Sequence, residues 1–131
     1  MRKGGTEILV FRHPLAGIQL AKGTLKPNEP IDIACARELQ EESGLRAAVK
    51  FSLGESFNHS NQRMWHYRVM DTEPGMMDKW THWCSDDGGH EFEFFWVGLH
   101  DANGAAMHDI FVEALAYIRK MITSSSALSH F

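Results

Sequence analysis

Runs of β-favouring residues, separated by turn signals, fill most of this chain and give way to a helical stripe near its end. Glu7 to His13 reads as a strand and is followed by a loop from Pro14 to Glu29. A helix is expected over Ala34 to Ser43. Ala48 to Phe57 and Gln62 to Asp71 read as two further strands, the second strengthened by Trp65, Tyr67 and Val69 at period two, and the two are expected to pair. Pro74-Gly75 marks a turn or loop within Glu73 to Met77. Trp80 to Ser85 and His90 to Leu99 flank the turn signal Asp86-Asp87-Gly88-Gly89, which predicts an antiparallel hairpin. Phe94-Phe95-Trp96-Val97 is apolar on both alternating faces, so that strand needs cover on two sides, and a sheet between helices supplies it. After a loop at Asn103-Gly104, the stripe Ile110, Phe111, Ala114, Ile118, Met121 offers the second helix. The serine-rich tail from Thr123 to Phe131 is expected to fray.

On the first predicted helix, Glu38, Glu41 and Glu42 are neighbours at i, i+3 and i+4. Like charges at that spacing each destabilise a helix by roughly 0.2–0.5 kcal/mol. An ordinary surface helix interleaves lysines; here the compensation nearby is Arg37, four residues before Glu41. Hard carboxylate oxygens converging on one patch suit Mg2+ or Mn2+ rather than a soft metal. A solvated acidic face is the competing reading for an isolated Arg-Glu-x-x-Glu-Glu.

The flanking register decides between them. Gly23, Glu29, Arg37, Glu38, Glu41, Glu42 and Gly44 fall in the pattern Gly-x5-Glu-x7-Arg-Glu-Leu-x-Glu-Glu-x-Gly-Leu, with Leu39 and Leu45 also in place. With about one chance in twenty per position, a random match in a chain this long has odds on the order of 10⁻⁷. The segment resembles a complete Nudix box. That resemblance implies an αβα sandwich with a mixed β-sheet between helices. It also implies hydrolysis of a phosphoanhydride in a nucleoside diphosphate-linked substrate, by attack of a metal-activated water on phosphorus.

By the same resemblance, Glu41, Glu42 and the Lys22 carbonyl are metal ligands, Glu38 is a general base or additional ligand, Arg37 orients the carboxylates and Glu29 anchors the loop. Gly44 suits the left-handed position that ends a helix, and Leu45 can close such a cap. Gly23 permits close backbone approach to metal or phosphate.

With 131 residues the chain is expected to form one domain. A net charge of −4 argues against a general surface for nucleic acid polymers, while small anionic substrates remain compatible once metals reverse the local field. No apolar run approaches membrane-spanning length, and Ile8 to Phe11 is too short for a signal-peptide core, so the cytoplasm is the expected compartment. Cys35 and Cys84 lack a metal-like spacing and read as buried, reduced thiols. The eight histidines form no His-Glu-x-x-His.

Outside the box the candidates are less specific. Family resemblance suggests a later acidic ligand, for which Glu91 or Glu93, on one face of the last hairpin strand, are the nearest choices. Trp65, Trp80 and Trp83 offer faces for a nucleobase, with core packing as the competing reading; Trp80 and Trp83 lie in a Met- and His-rich stretch that interrupts the strand pattern. Arg12, Lys22 and Arg63 can hold phosphates, against ordinary surface exposure. Nudix domains usually place a strand ahead of the Glu7 to His13 strand. Here Lys3-Gly4-Gly5-Thr6 is preceded by Met1 and Arg2, so the first strand looks truncated: either the chain starts late relative to the natural protein, or a sheet edge is exposed and needs cover from a second copy or the tail, with association or poor solubility expected. Two alternatives remain: a nucleotide sensor on the same scaffold, or isopentenyl-diphosphate isomerase-like chemistry with Cys84 as nucleophile.

Overall fold

The computed structural model describes residue 1 and residues 7–72, 77–85, 88–101 and 107–124. The expected turns at Pro74-Gly75, Asp86-Asp87 and Asn103-Gly104, and the tail from residue 125, lie outside the described residues. The elements are β1 (Glu7–His13), β2 (Gly17–Gln19), α1 (Ile31–Ser43), β3 (Ala47–Asn58), β4 (Arg63–Thr72), β5 (Lys79–Cys84), β6 (His90–Gly98) and α2 (Asp109–Ser124).

Strands β2-β1-β6-β5 form a four-stranded sheet, and β3-β4 a separate two-stranded one; neighbours in both run antiparallel. A parallel bridge between Ile18 and Met107 ties β2 to the segment entering α2. Two register shifts against β4, between Val49 and Phe51 and between Ser52 and Gly54, insert extra residues into β3, and such bulges raise local twist.

Alternation in β1 and β6 sends side chains to both faces of the larger sheet. Ile8 and Val10 join Phe111, Ala114, Leu115, Ile118 and Ile122 of α2 in one cluster that also takes in Leu53, Tyr67 and Val69 from the smaller sheet. Phe11, Phe92, Phe94 and Cys84 form a second cluster on the opposite face, with Leu9 and Trp80 packed against it. There the Trp80 indole N–H donates to the carbonyl of Ser43, the last residue of α1, at 2.9 Å, and its ring stacks on Phe94. The two helices thus cover the two faces that the Phe94 to Val97 run demanded, giving an α+β sandwich.

Three expectations need amending. The loop from Pro14 to Glu29 contains β2, whose three residues pair with Phe11, Arg12 and His13. The edge of β1 is therefore covered over its C-terminal half by a strand too short to leave a periodic signal. Helix α1 begins at Ile31, three residues earlier than the pattern suggested, with Pro30 at the N-cap (φ −62°) and no side-chain cap. β-Branched Ile31 and Ile33 weaken the local helix signal, and Asp32 in the first turn partly restores it through the helix dipole. At the other end α2 runs through Thr123 and Ser124, where a frayed tail was expected.

Candidate active site

Helix α1 and the loop before it form a charged centre around Arg37, whose side chain is 20% exposed. Its Nε and Nη2 donate to the two carboxylate oxygens of Glu29 at 2.8 and 2.9 Å, a bidentate grip. Nη1 donates to Glu38 Oε1 at 2.7 Å and Glu41 Oε2 at 3.1 Å, and Nη2 also reaches the Thr24 carbonyl at 3.0 Å. One guanidinium therefore compensates three carboxylates and ties the loop to the helix. Held first by Arg37 and then by the Lys26 N–H, the Glu29 carboxyl is pushed down to about 2. The Arg37 guanidinium is correspondingly driven further above its ordinary value by Glu29.

Glu42, one turn on from Glu38, is held by the main chain instead of by Arg37. It is 8% exposed and accepts the Lys22 backbone N–H at 2.9 Å, which fixes the strip of main chain leading to Gly23. Gly23 in turn packs directly on Glu38: a Cβ there would collide with the Glu38 carboxyl group. Gly44 closes α1 in the left-handed region (φ 79°), its N–H donating to the Gln40 carbonyl at 2.8 Å.

Beside this centre opens a cleft of about 820 Å3, within the ordinary range for small-molecule sites. Lys22, Gly23 and Glu38 line one part of it, Arg63 and Trp65 of β4 another, and aliphatic side chains including Leu20, Leu53 and Ile118 the depth. A family model described as the NUDIX domain matches residues 1–116. The chain belongs to the Nudix family. Nudix domains act on nucleoside diphosphate-linked substrates and generally use divalent metals such as Mg2+. No curated protein matches this Nudix domain.

The donors on α1 and its leading loop fit such a metal in kind. Glu38, Glu41, Glu42 and the Lys22 carbonyl are hard oxygen donors, and the contact of Gly23 with Glu38 brings main chain and carboxylate together as a cradle that a side chain would fill. Their present arrangement is not yet a coordination shell: among the described residues, no three His, Cys, Asp or Glu side chains are gathered closely enough to hold an ion. Arg37 uses one oxygen each of Glu38 and Glu41, so each keeps a second.

Other sequence candidates lie apart from the cleft walls. Glu93 is exposed on β6 and faces Arg12 of β1 across the ladder, at 3.8 Å, while Glu91 is exposed opposite Trp83. Trp80 is engaged by Ser43 and Phe94. Trp83 is 63% exposed, with its ring beside Gly89. The Met- and His-rich stretch does not interrupt the strand pattern: Lys79–Cys84 alternates regularly, with Trp80, His82 and Cys84 inward and Trp83 outward. Cys84, buried at 3% among Phe11, Phe92 and Phe94, does not line the cleft, which removes the ground for reading it as an isomerase nucleophile. Cys35 does line it, but burial pushes its thiol up, away from the reactive thiolate.

A second guanidinium largely withdrawn from solvent has no signal in the sequence. Arg68, 10% exposed, donates from Nε to Asp32 Oδ1 at 2.9 Å, from Nη2 to Glu55 Oε1 at 3.3 Å, and from Nη1 to its neighbour's carbonyl, Tyr67, at 2.9 Å. It joins β4 to β3 and to the first turn of α1. Its partners are 36 and 13 residues away, beyond any local spacing rule.

Proposed function

We propose that this Nudix domain hydrolyses a phosphoanhydride bond in a small nucleoside diphosphate-linked substrate, with Mg2+ or Mn2+ as cofactor. Candidates are a nucleoside triphosphate, a dinucleoside polyphosphate or a nucleotide sugar such as ADP-ribose. The observation that carries this reading is the 820 Å3 cleft lined by Glu38 and Lys22, with Glu41 joined to Glu38 through Arg37 and Glu42 joined to the Lys22 main chain.

In this reading Glu38, Glu41, Glu42 and the Lys22 carbonyl would hold a divalent cation, which would supply water activation and charge neutralisation at the phosphate oxygens. The protein's own part is positional. Arg37 sets the rotamers of Glu38 and Glu41, Glu42 holds the Lys22 main chain, and Gly23 lets phosphate approach the backbone. Glu38 accepts the proton of the attacking water, a role supported by its contact with Gly23 inside the cleft. Arg63 is a phosphate-binding candidate on the facing strand, whereas Arg12, Glu91, Glu93, Trp80 and Trp83 have weaker claims from where they stand.

The test is a screen of nucleoside polyphosphates and nucleotide sugars with either metal, reading released phosphate or pyrophosphate beside Glu41→Gln. Turnover that needs metal and collapses in the variant supports the proposal. Tight nucleotide binding without turnover in any metal favours a non-catalytic sensor, a reading to which the engagement of Glu38 and Glu41 by Arg37 lends some weight. Homodimer formation through an edge of the larger sheet is also proposed; a monodisperse monomer in light scattering counts against it.

A further inference from the structure

Trp65 stands on β4 in the same cleft as Gly23 and Glu38, and it is only partly buried. The protein fixes its orientation. The indole N–H donates to Asn61 Oδ1 at 3.3 Å, and the ring meets Phe111 edge-on, with centroids 6.1 Å apart at 77°. Tyr67 packs beside it at 6.3 Å. Lys22 Nζ lies over the ring, 6.0 Å from its centroid, at the outer limit of a cation–π contact. That ammonium belongs to the residue whose backbone Glu42 pins beside the carboxylate centre. A pre-oriented aromatic face thus sits within one lysine's length of the groups assigned to the diphosphate.

We infer that Trp65 is the stacking platform for the substrate's nucleobase and that Lys22 Nζ moves from over the indole to the phosphate when the base takes its place. The inference rests on the hydrolase reading for its substrate class. A stacked indole reads a π-face and not the hydrogen-bonding edge, so this wall selects for a planar base while discriminating little among bases. Trp80, occupied by Ser43 and Phe94, cannot serve the same purpose without giving up its place against α1.

Two measurements test it. In 1H–15N spectra of the intact protein with Mg2+, titrated with ADP, the indole N–H signal assigned to Trp65 through Trp65→Phe shifts, while that of Trp80 stays. A Trp65 signal unmoved when ADP has saturated other resonances overturns the inference, as does the absence of any ADP-dependent shift. In kinetics with the nucleotide turned over fastest in the screen, Trp65→Leu raises KM roughly tenfold or more with kcat little changed, and Trp65→Phe restores most of the loss. An unchanged KM in folded Trp65→Leu sinks the platform and leaves the hydrolase standing. A shifted Trp65 signal with no turnover of any substrate does the reverse.

Discussion

Arg37 and Arg68 are two guanidiniums largely withdrawn from solvent, 20% and 10% exposed, and each gathers carboxylates around α1. They differ in what they hold. Arg37 binds Glu29, Glu38 and Glu41, all within eight residues of itself, and two of those acids are candidates for chemistry. Arg68 binds Asp32 and Glu55 from another sheet strand and the start of the helix, and its effect is on where α1 sits. Similar side chains in similar burial therefore hold different things: one gathers the acids proposed for chemistry, the other positions the element that carries them.

The sharpest way to separate the two is catalytic. Glu38→Gln, at the proposed proton acceptor held by Arg37, is expected to lower kcat by roughly 10²- to 10⁴-fold in protein that still folds, far beyond its effect on thermal melting. Glu55→Gln, on the Arg68 side, is expected to leave kcat within severalfold of wild type. Equal losses in steady-state assays would erase the distinction.

Stability comes next. Arg37→Met strands the partly buried Glu29 and Glu38 carboxylates and is expected to lower the urea midpoint clearly, whereas Arg68→Met, whose partners Asp32 and Glu55 are exposed and solvent-screened, is expected to lower it less. The folded Arg68→Met protein should keep substantial activity, whereas Arg37→Met should lose it, because Glu38 and Glu41 are no longer held in register.

The acid limb offers a finer probe. Glu29 titrates near 2 in the folded chain, below its ordinary value of 4.5, so between those limits the unfolded state binds more protons. Its contribution is complete above pH 4.5 and is lost as pH falls toward 2. Urea midpoints over that window should decline less steeply in Arg37→Met; parallel curves would deny Arg37 its role as first cause of the shift. The smallest expected effect is Trp80→Phe, which forfeits the bond to the Ser43 carbonyl: about 0.5–1.5 kcal/mol of stability, with kcat and KM unaffected.

What could be read in advance follows the same division. β1 was legible to the residue, and β3 to β6 to within a residue or so, because their side chains alternate and turn residues punctuate them. In the Arg37 centre the neighbours on α1 were legible from helical spacing, and Glu29 only through the resemblance to the Nudix box. β2 was not, since three residues with half-buried side chains carry no period. Nor was Arg68, whose bonds form only after β3, β4 and α1 have been brought together. Trp65 and Trp80 show the limit most directly: both are period-two aromatics, and only the fold sets one in the cleft and the other under the end of a helix.

Helix α1 is moored at both ends to different sheets, through Asp32 to Arg68 of the small one and through the Ser43 carbonyl to Trp80 of the large one. It behaves as a brace across the gap. Any substrate bulky enough to wedge the sheets apart must tilt this brace or snap one mooring, and in tilting it swings every glutamate it carries, so the size of the guest and the aim of the acidic groups are mechanically geared together.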